Sequence, residues 1–253
     1  MRKKIFAGIL FLACIAAKPD LPGGDSLINP PLTGRDVIHQ TYLRYAGKWY
    51  RSFVFNQNTE FYRNDSLKGT QVWYEAIKYP ALFRIDFGDK DSGNAVIYKG
   101  DSSYGFRNGK LRGARKDDND LTFLLGGMYF YTEGRVMQQL KAWNYDLDKA
   151  HEEVFEGKPV LVVGTAIKGD TGVNQLWFDK QDLYLVRLIK FDGGRREDGI
   201  FEGQKKFGGG WAETKCRFYF NDKLIQIENY FDCKQDVPLD DAFFEPAVFL
   251  KRQ

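Results

Sequence analysis

Cysteine and histidine are scarce: three cysteines and two histidines stand in 253 residues. His39 and His151 have no cysteine or carboxylate partner at ligand spacing on a shared element, so no metal centre is expected and both read as surface residues. No block of five like charges interrupts the balance of 37 basic and 34 acidic residues, and the formal charge is only +3. That excludes a nucleic-acid-binding tail. The apolar run from Ile5 to Ala13 is too short to span a bilayer as a helix. Neighbouring carboxylates such as Asp117/Asp118, Glu152/Glu153 and Asp240/Asp241 would point to opposite faces of a strand, so they read as solvated turns rather than acid–base pairs. Aromatic residues, by contrast, are abundant. With 21 Phe, 14 Tyr and 5 Trp they form 16% of the chain, a composition that favours pleated, half-buried sheet.

The N-terminus has the parts of an export leader. Arg2, Lys3 and Lys4 precede the apolar run, and Phe11-Leu12-Ala13-Cys14 resembles a loose lipobox, with cleavage before Cys14 and lipidation of its thiol. Phe11 stands where such boxes usually carry Leu, and a plain secretory cut after Ala17 competes. Residues 1–17 therefore read as leader, and 18–35, rich in proline and glycine up to Gly34, as a flexible tether. The folded domain is expected over 36–253, one large domain at this length.

Within it, Val37/Ile38, Thr41/Tyr42 and Tyr45 recur at helical spacing, and Gly47 follows where a helix would stop. From Lys48 to Gln57 the period changes to two. Further strands are expected at Thr70–Lys78, Leu82–Phe87, Ala95–Lys99 and Ser102–Arg107, with Asn108-Gly109 as the strongest hairpin signal. Asp120–Trp143 breaks the pattern and reads as one or two helices, interrupted at Gly126-Gly127 and again near Gly134. Strands resume at Glu152–Phe155, Val160–Lys168, Val173–Phe178, Tyr184–Asp192, Ile200–Phe207, Glu213–Asn221 and Lys223–Asp232. Cys216 and Cys233 fall on a hairpin turning at Asn221-Asp222, whose register sets Cys216 opposite Ile227, so two free thiols are expected. The sum is a mainly β (α+β) fold, not a nucleotide-binding α/β fold.

Three segments carry a more specific likeness. Ile77-Lys78-Tyr79-Pro80-Ala81-Leu82-Phe83-Arg84-Ile85, Ile97-Tyr98-Lys99-Gly100 and Tyr104-Gly105-Phe106 follow one another as in the LolA/LolB-like lipoprotein carriers. Ile227-Glu228-Asn229-Tyr230 and Leu239-Asp240-Asp241-Ala242-Phe243-Phe244-Glu245-Pro246 resemble that family's last strand and tail. The resemblance implies an unclosed antiparallel β-barrel of about 11 strands, with a short N-terminal helix and a helical lid insert over an apolar cavity. One departure is plain: the family's arginine before the proline, implied to latch the lid, is Tyr79 here. Arg84 is the nearest alternative donor to that lid.

The expected cavity residues on the strands are Trp49, Phe53, Trp73, Phe83, Ile85, Tyr104 and Phe106. Those expected on the lid are Leu121, Leu124, Leu125, Met128 and Met137, the thioethers suiting a surface that repacks around acyl chains. An ordinary core-filling helix would look similar. Gly24-Asp25-Ser26-Leu27 with Asp148 and His151 spells a lipase-like signature, but Ser26 sits in the tether instead of at the end of a strand, and the alternating α/β plan is missing. No enzyme and no cofactor is expected. The chain reads as an exported, periplasmic monomer, membrane-anchored through Cys14, that holds acyl chains of lipoproteins or similar amphiphiles in envelope trafficking. The alternative is a lipid-anchored structural or sensory module on the same fold that binds a partner protein.

Overall fold

Thr33 opens the first element. In the computed structural model, which describes residues 32–249 apart from 90, 91 and 118, helix α1 spans Gly34–Tyr45. It starts three residues before Val37, where the apolar pattern begins, because Thr33 Oγ1 accepts from Asp36 N (3.2 Å) while the Asp36 carboxylate accepts from Thr33 N (2.9 Å). This reciprocal cap satisfies donors that the first turn leaves open. The leader, Cys14, Ser26 and nearly all of the tether lie outside the described residues.

Twelve strands follow the order in which the aromatic alternation recurs, and three more appear between them. They are β1 (Ser52–Arg63), β2 (Ser66–Lys78), β3 (Leu82–Phe87), β4 (Ala95–Lys99), β5 (Ser102–Arg107) and β6 (Lys110–Lys116) before the helical insert. After it come β7 (Ala150–Phe155), β8 (Lys158–Val163), β9 (Gln175–Asp179), β10 (Leu185–Asp192), β11 (Arg195–Glu202), β12 (Lys205–Phe207), β13 (Gly210–Ala212), β14 (Lys215–Phe220) and β15 (Lys223–Gln235). β12 and β13 form their own hairpin, while the other 13 make one antiparallel sheet in the order β6-β5-β4-β3-β2-β1-β15-β14-β11-β10-β9-β8-β7. The terminal strands β6 and β7 do not pair, so the barrel is unclosed.

The strands beyond the expected runs, β6 and the β12/β13 hairpin, have local origins. Asn108 and Gly109 both take positive φ (47° and 69°), a tight turn that returns the chain directly into β6. The expected run Ile200–Phe207 divides into β11 and β12. β6 is exposed along its whole length and carries Lys110, Arg112, Arg115 and Lys116, charges that blunt an open edge against pairing with another chain. β1 begins at Ser52 rather than Lys48, because Lys48 N and Trp49 N both bond Tyr45 O (3.0 and 3.1 Å) in a turn after α1. In β14/β15 a bulge between Phe218 and Tyr219 moves the register by one, so Cys216 faces Glu228 and not Ile227. Both Cys216 and Cys233 are free thiols.

The two faces of the β1–β5 region are covered by segments distant in sequence. On one face, Val54, Ala76, Arg84, Ile97 and Tyr104 pair in register, and the C-terminal segment with Phe243, Phe244 and Phe249 lies over them. Arg84 anchors it. Its guanidinium forms a two-point bond with Asp86 (2.8 and 2.7 Å), donates to Phe243 O (3.2 Å) and lies over the Phe243 and Phe249 rings. Arg84 therefore braces the tail and is not a lid donor.

The other face carries the main core and the insert: α2 (Asp120–Leu124), a 3₁₀ turn (Gly127–Phe130) and α3 (Glu133–Ala142). The second interruption falls at Tyr131-Thr132 instead of Gly134, since Thr132 caps α3 by accepting from Arg135 N (3.4 Å) and leaves Gly134 inside the first turn. Val136 and Leu140 of α3 are wholly buried, as expected of a core-facing stripe.

Candidate functional site

Alternation along the strands builds a cavity between the sheet and the insert. On β1, Phe53 and Phe55 sit opposite Ile77 and Glu75 of β2, and these in turn face Phe83 and Ile85 of β3, all on one side of the sheet. Tyr98 of β4 continues the row beside Phe83. Leu121, Thr122 and Leu125 at α2 cover it. The cavity measures about 160 Å³, below the span of about 300–1,000 Å³ usual for whole small-molecule ligands.

Six of the twelve residues named from the sequence line this space: Phe53, Trp73, Phe83, Ile85, Leu121 and Leu125. Four others, Trp49, Leu124, Met128 and Met137, belong to the packed core behind it. Trp49 lies outside the strand alternation because of its turn, and its ring packs on Tyr45 and Tyr129 at centroid distances of 5.0 and 4.7 Å. Tyr104 and Phe106 face the opposite side. They pair with Ile97 and Ala95 and support the C-terminal segment, Phe106 meeting Phe249 at 4.4 Å.

Tyr79 holds the insert in the absence of the arginine. Its hydroxyl donates to Leu125 O (3.2 Å), at the end of α2, and its ring stacks on Phe130 at 5.5 Å and 10°. Gly126 is required at this junction: its φ is +154°, and a Cβ there would fall 2.7 and 2.8 Å from Tyr79 Cζ and Oη and still closer to Trp49 Nε1.

The cavity is not uniformly apolar. Glu75, Glu213 and Glu228 line it with Tyr50, Tyr79 and Tyr230, and no Lys, Arg or His lines it among the described residues. Burial pushes the Glu75 carboxyl well above the usual carboxylate range, and the nearby Glu228 and Glu213 push it further. Glu213 is raised by burial to about 7, with Glu228 adding to the effect. Burial also raises Glu228, although bonds from Tyr230 Oη (2.8 Å) and Gln226 Nε2 (2.5 Å) hold it back. In such a setting the neutral acid is the favoured form. These acids were not singled out from the sequence because they lie far apart in the chain. The available signal was local: Glu75 occupies the inward position between Trp73 and Ile77 on β2, where a charged residue breaks the apolar alternation.

A hydrolytic triad is not assembled among the described residues. His151 is buried on β7, not on the surface, with Nδ1 2.9 Å from Thr165 O and Nε2 2.9 Å from Glu153 Oε2. Both ring nitrogens are thus engaged, and Asp148 instead accepts from Arg35 (2.8 Å). His39 is exposed and lies 2.8 Å from Glu133. No group of three or more His, Cys, Asp and Glu suited to a metal ion occurs among the described residues.

No protein-family model and no curated protein matches the sequence. Solved structures match in fold. A DUF1329 family protein from Desulfovibrio piger superposes with a TM-score of 0.58 at 18% identity, covering 85% of this chain and 97% of its own. A domain from Vibrio parahaemolyticus, described as an outer membrane lipoprotein-sorting protein, gives 0.59 at 13% identity over 86% and 98%. A LolA superfamily protein from Nitrosomonas europaea gives 0.54 at 14% over 85% and 98%. With its unclosed antiparallel sheet and its insert over one face, the chain has the LolA-like open β-barrel fold.

Proposed function

We propose that the protein is a non-enzymatic carrier that holds the hydrocarbon part of a lipoprotein or similar amphiphile in the cavity beneath α2, in envelope lipid or lipoprotein trafficking. The carrying observation is the cavity of about 160 Å³ walled by Phe53, Trp73, Phe83, Ile85, Leu121 and Leu125, with room for part of one chain. A buried methylene contributes about 0.8 kcal/mol, so about ten methylenes supply roughly 8 kcal/mol and micromolar holding. Burying several whole chains would bind too tightly for release. The fold neighbours support the reading, since one is described as a lipoprotein-sorting domain. Mass spectrometry of organic extracts of the natively purified protein is expected to show a stoichiometric amphiphile. A protein that is lipid-free and also fails to take up added amphiphiles would overturn the proposal.

Export and anchoring belong to the same proposal. Lipidation of Cys14 would tie the domain to a membrane facing the periplasm and make it a receptor, whereas cleavage after Ala17 would make it a soluble shuttle. Cys14→Ala is expected to move the protein from the membrane to the soluble fraction. An unchanged distribution would remove the anchor.

A further inference from the structure

A cavity that merely shelters hydrocarbon has no use for three acids. Glu75 projects from β2, Glu228 from β15 and Glu213 from the connection between β13 and β14, all onto the same space. Glu75 is the most telling, because its residue is only 7% exposed and its carboxyl has no hydrogen-bond partner among the described residues. Its strand neighbours across the sheet are Phe55 and Ile85, an apolar setting for a carboxyl. Beside Glu228, Gln57 Oε1 is a buried acceptor that also lacks a partner.

The surrounding polar groups are hydroxyls and a thiol, not cations. Tyr230 bonds Glu228 and lies 3.3 Å from Cys216 Sγ, and Tyr50 and Tyr79 share the wall. A carboxylate or phosphate head group would find no cation here among the described residues, and the hydroxyls of Tyr50, Tyr79 and Tyr230 already donate to Trp211 O, Leu125 O and Glu228. A group rich in N–H donors would satisfy Glu75 and Glu213 together, and a charged acceptor makes such bonds about twice as strong as neutral ones.

We infer that the cavity takes a long-chain amphiphile whose head group is a protonated amine, its nitrogen docked among Glu75, Glu213 and Glu228 and its chain along the aromatic wall. This rests on the carrier reading for the chain and adds the identity of the head. An empty cavity favours neutral acids, so docking an ammonium shifts one carboxyl to its ionised form. The proton goes to solvent, and the ammonium–carboxylate pair remains.

Calorimetric titration of the full chain at neutral pH with decylamine, decanol and decanoate, below their micellar concentrations, separates the two claims. The amine is expected to bind at least about tenfold tighter than the alcohol, a difference of about 1.4 kcal/mol, and decanoate weakest. Repeating the titration in buffers of different ionisation enthalpy should show release of about one proton per amine. Glu75→Gln, isosteric with the neutral acid, should bring the amine down to the affinity of the alcohol and leave the alcohol unchanged. Glu213→Gln provides the same test if the first variant does not fold. Equal binding of amine and alcohol by the unsubstituted protein, or an amine preference that survives in the folded variants, overturns this inference and leaves the carrier reading intact. Failure of all three ligands overturns both.

Discussion

Replacing Gly126 with alanine is expected to destabilise the protein by about 3 kcal/mol, from left-handed-region strain together with overpacking. The cost arises because neither neighbour can yield. Tyr79 is held by its bond to Leu125 O and by stacking on Phe130, and Trp49 is wedged against Tyr129 and the backbone of Gly210. A lowered midpoint with unchanged slope in urea unfolding is the expected reading. Gly134→Ala is the matched control: a Cβ there meets nothing within 4 Å, and exchange inside the first turn of α3 should stabilise by about 0.5–1 kcal/mol. Equal effects at the two positions would remove the special role of the junction.

A fall in stability as the pH rises from the acid range through neutrality is the second large effect. In the unfolded chain the Glu213 carboxyl ionises near its ordinary value of 4.5, but in the folded chain it keeps its proton to about 7. Between those values the unfolded state has released a proton that the folded state still holds, so stability declines with rising pH and levels off above the folded value. The interval corresponds to roughly 3 kcal/mol. Glu75 and Glu228, both raised by burial, act in the same direction. Carboxylates held low, such as Glu153 beside His151, act the other way, but only in more acid solution. Chemical denaturation across this range should give a slope that Glu213→Gln reduces; an unaltered profile in the variant would place the effect elsewhere.

Much of the sheet was legible because its determinants are local. β3, β4 and β5 lie where the alternation and the flanking glycine and proline signals put them, and the helical insert fills the interval from Asp120. What was not legible is non-local. Trp49 follows the apolar parity of β1, yet a turn bonded back to Tyr45 takes it out of the strand. Tyr104 and Phe106 are as apolar as the cavity aromatics, and only register decides that they lie beneath Phe249 while Ser103 and Gly105 take the inner side. The three acids share a cavity only after β2 and β15 have each paired with β1. His151 was misplaced for a similar reason: Thr165, its carbonyl partner, is brought near by β7/β8 pairing.

The C-terminal brace sets the direction in which the barrel can give. With Arg84 tied to Asp86 and to the Phe243 carbonyl, and Phe249 lying against Phe106, the outer side of β3–β5 is backed by a second layer of rings. A guest pressing outward on that wall meets close-packed material of low compressibility. The opposite side is covered by the insert, which Tyr79 holds at Leu125 and Phe130, Lys190 holds at Asp120 (2.7 Å) and Tyr42 holds at Tyr131 O (2.9 Å). Mechanical compliance is therefore one-sided: room for a bulkier guest comes from displacing the insert and not from dilating the sheet, so the upper size of the cargo is set by how far these few ties can be stretched or broken.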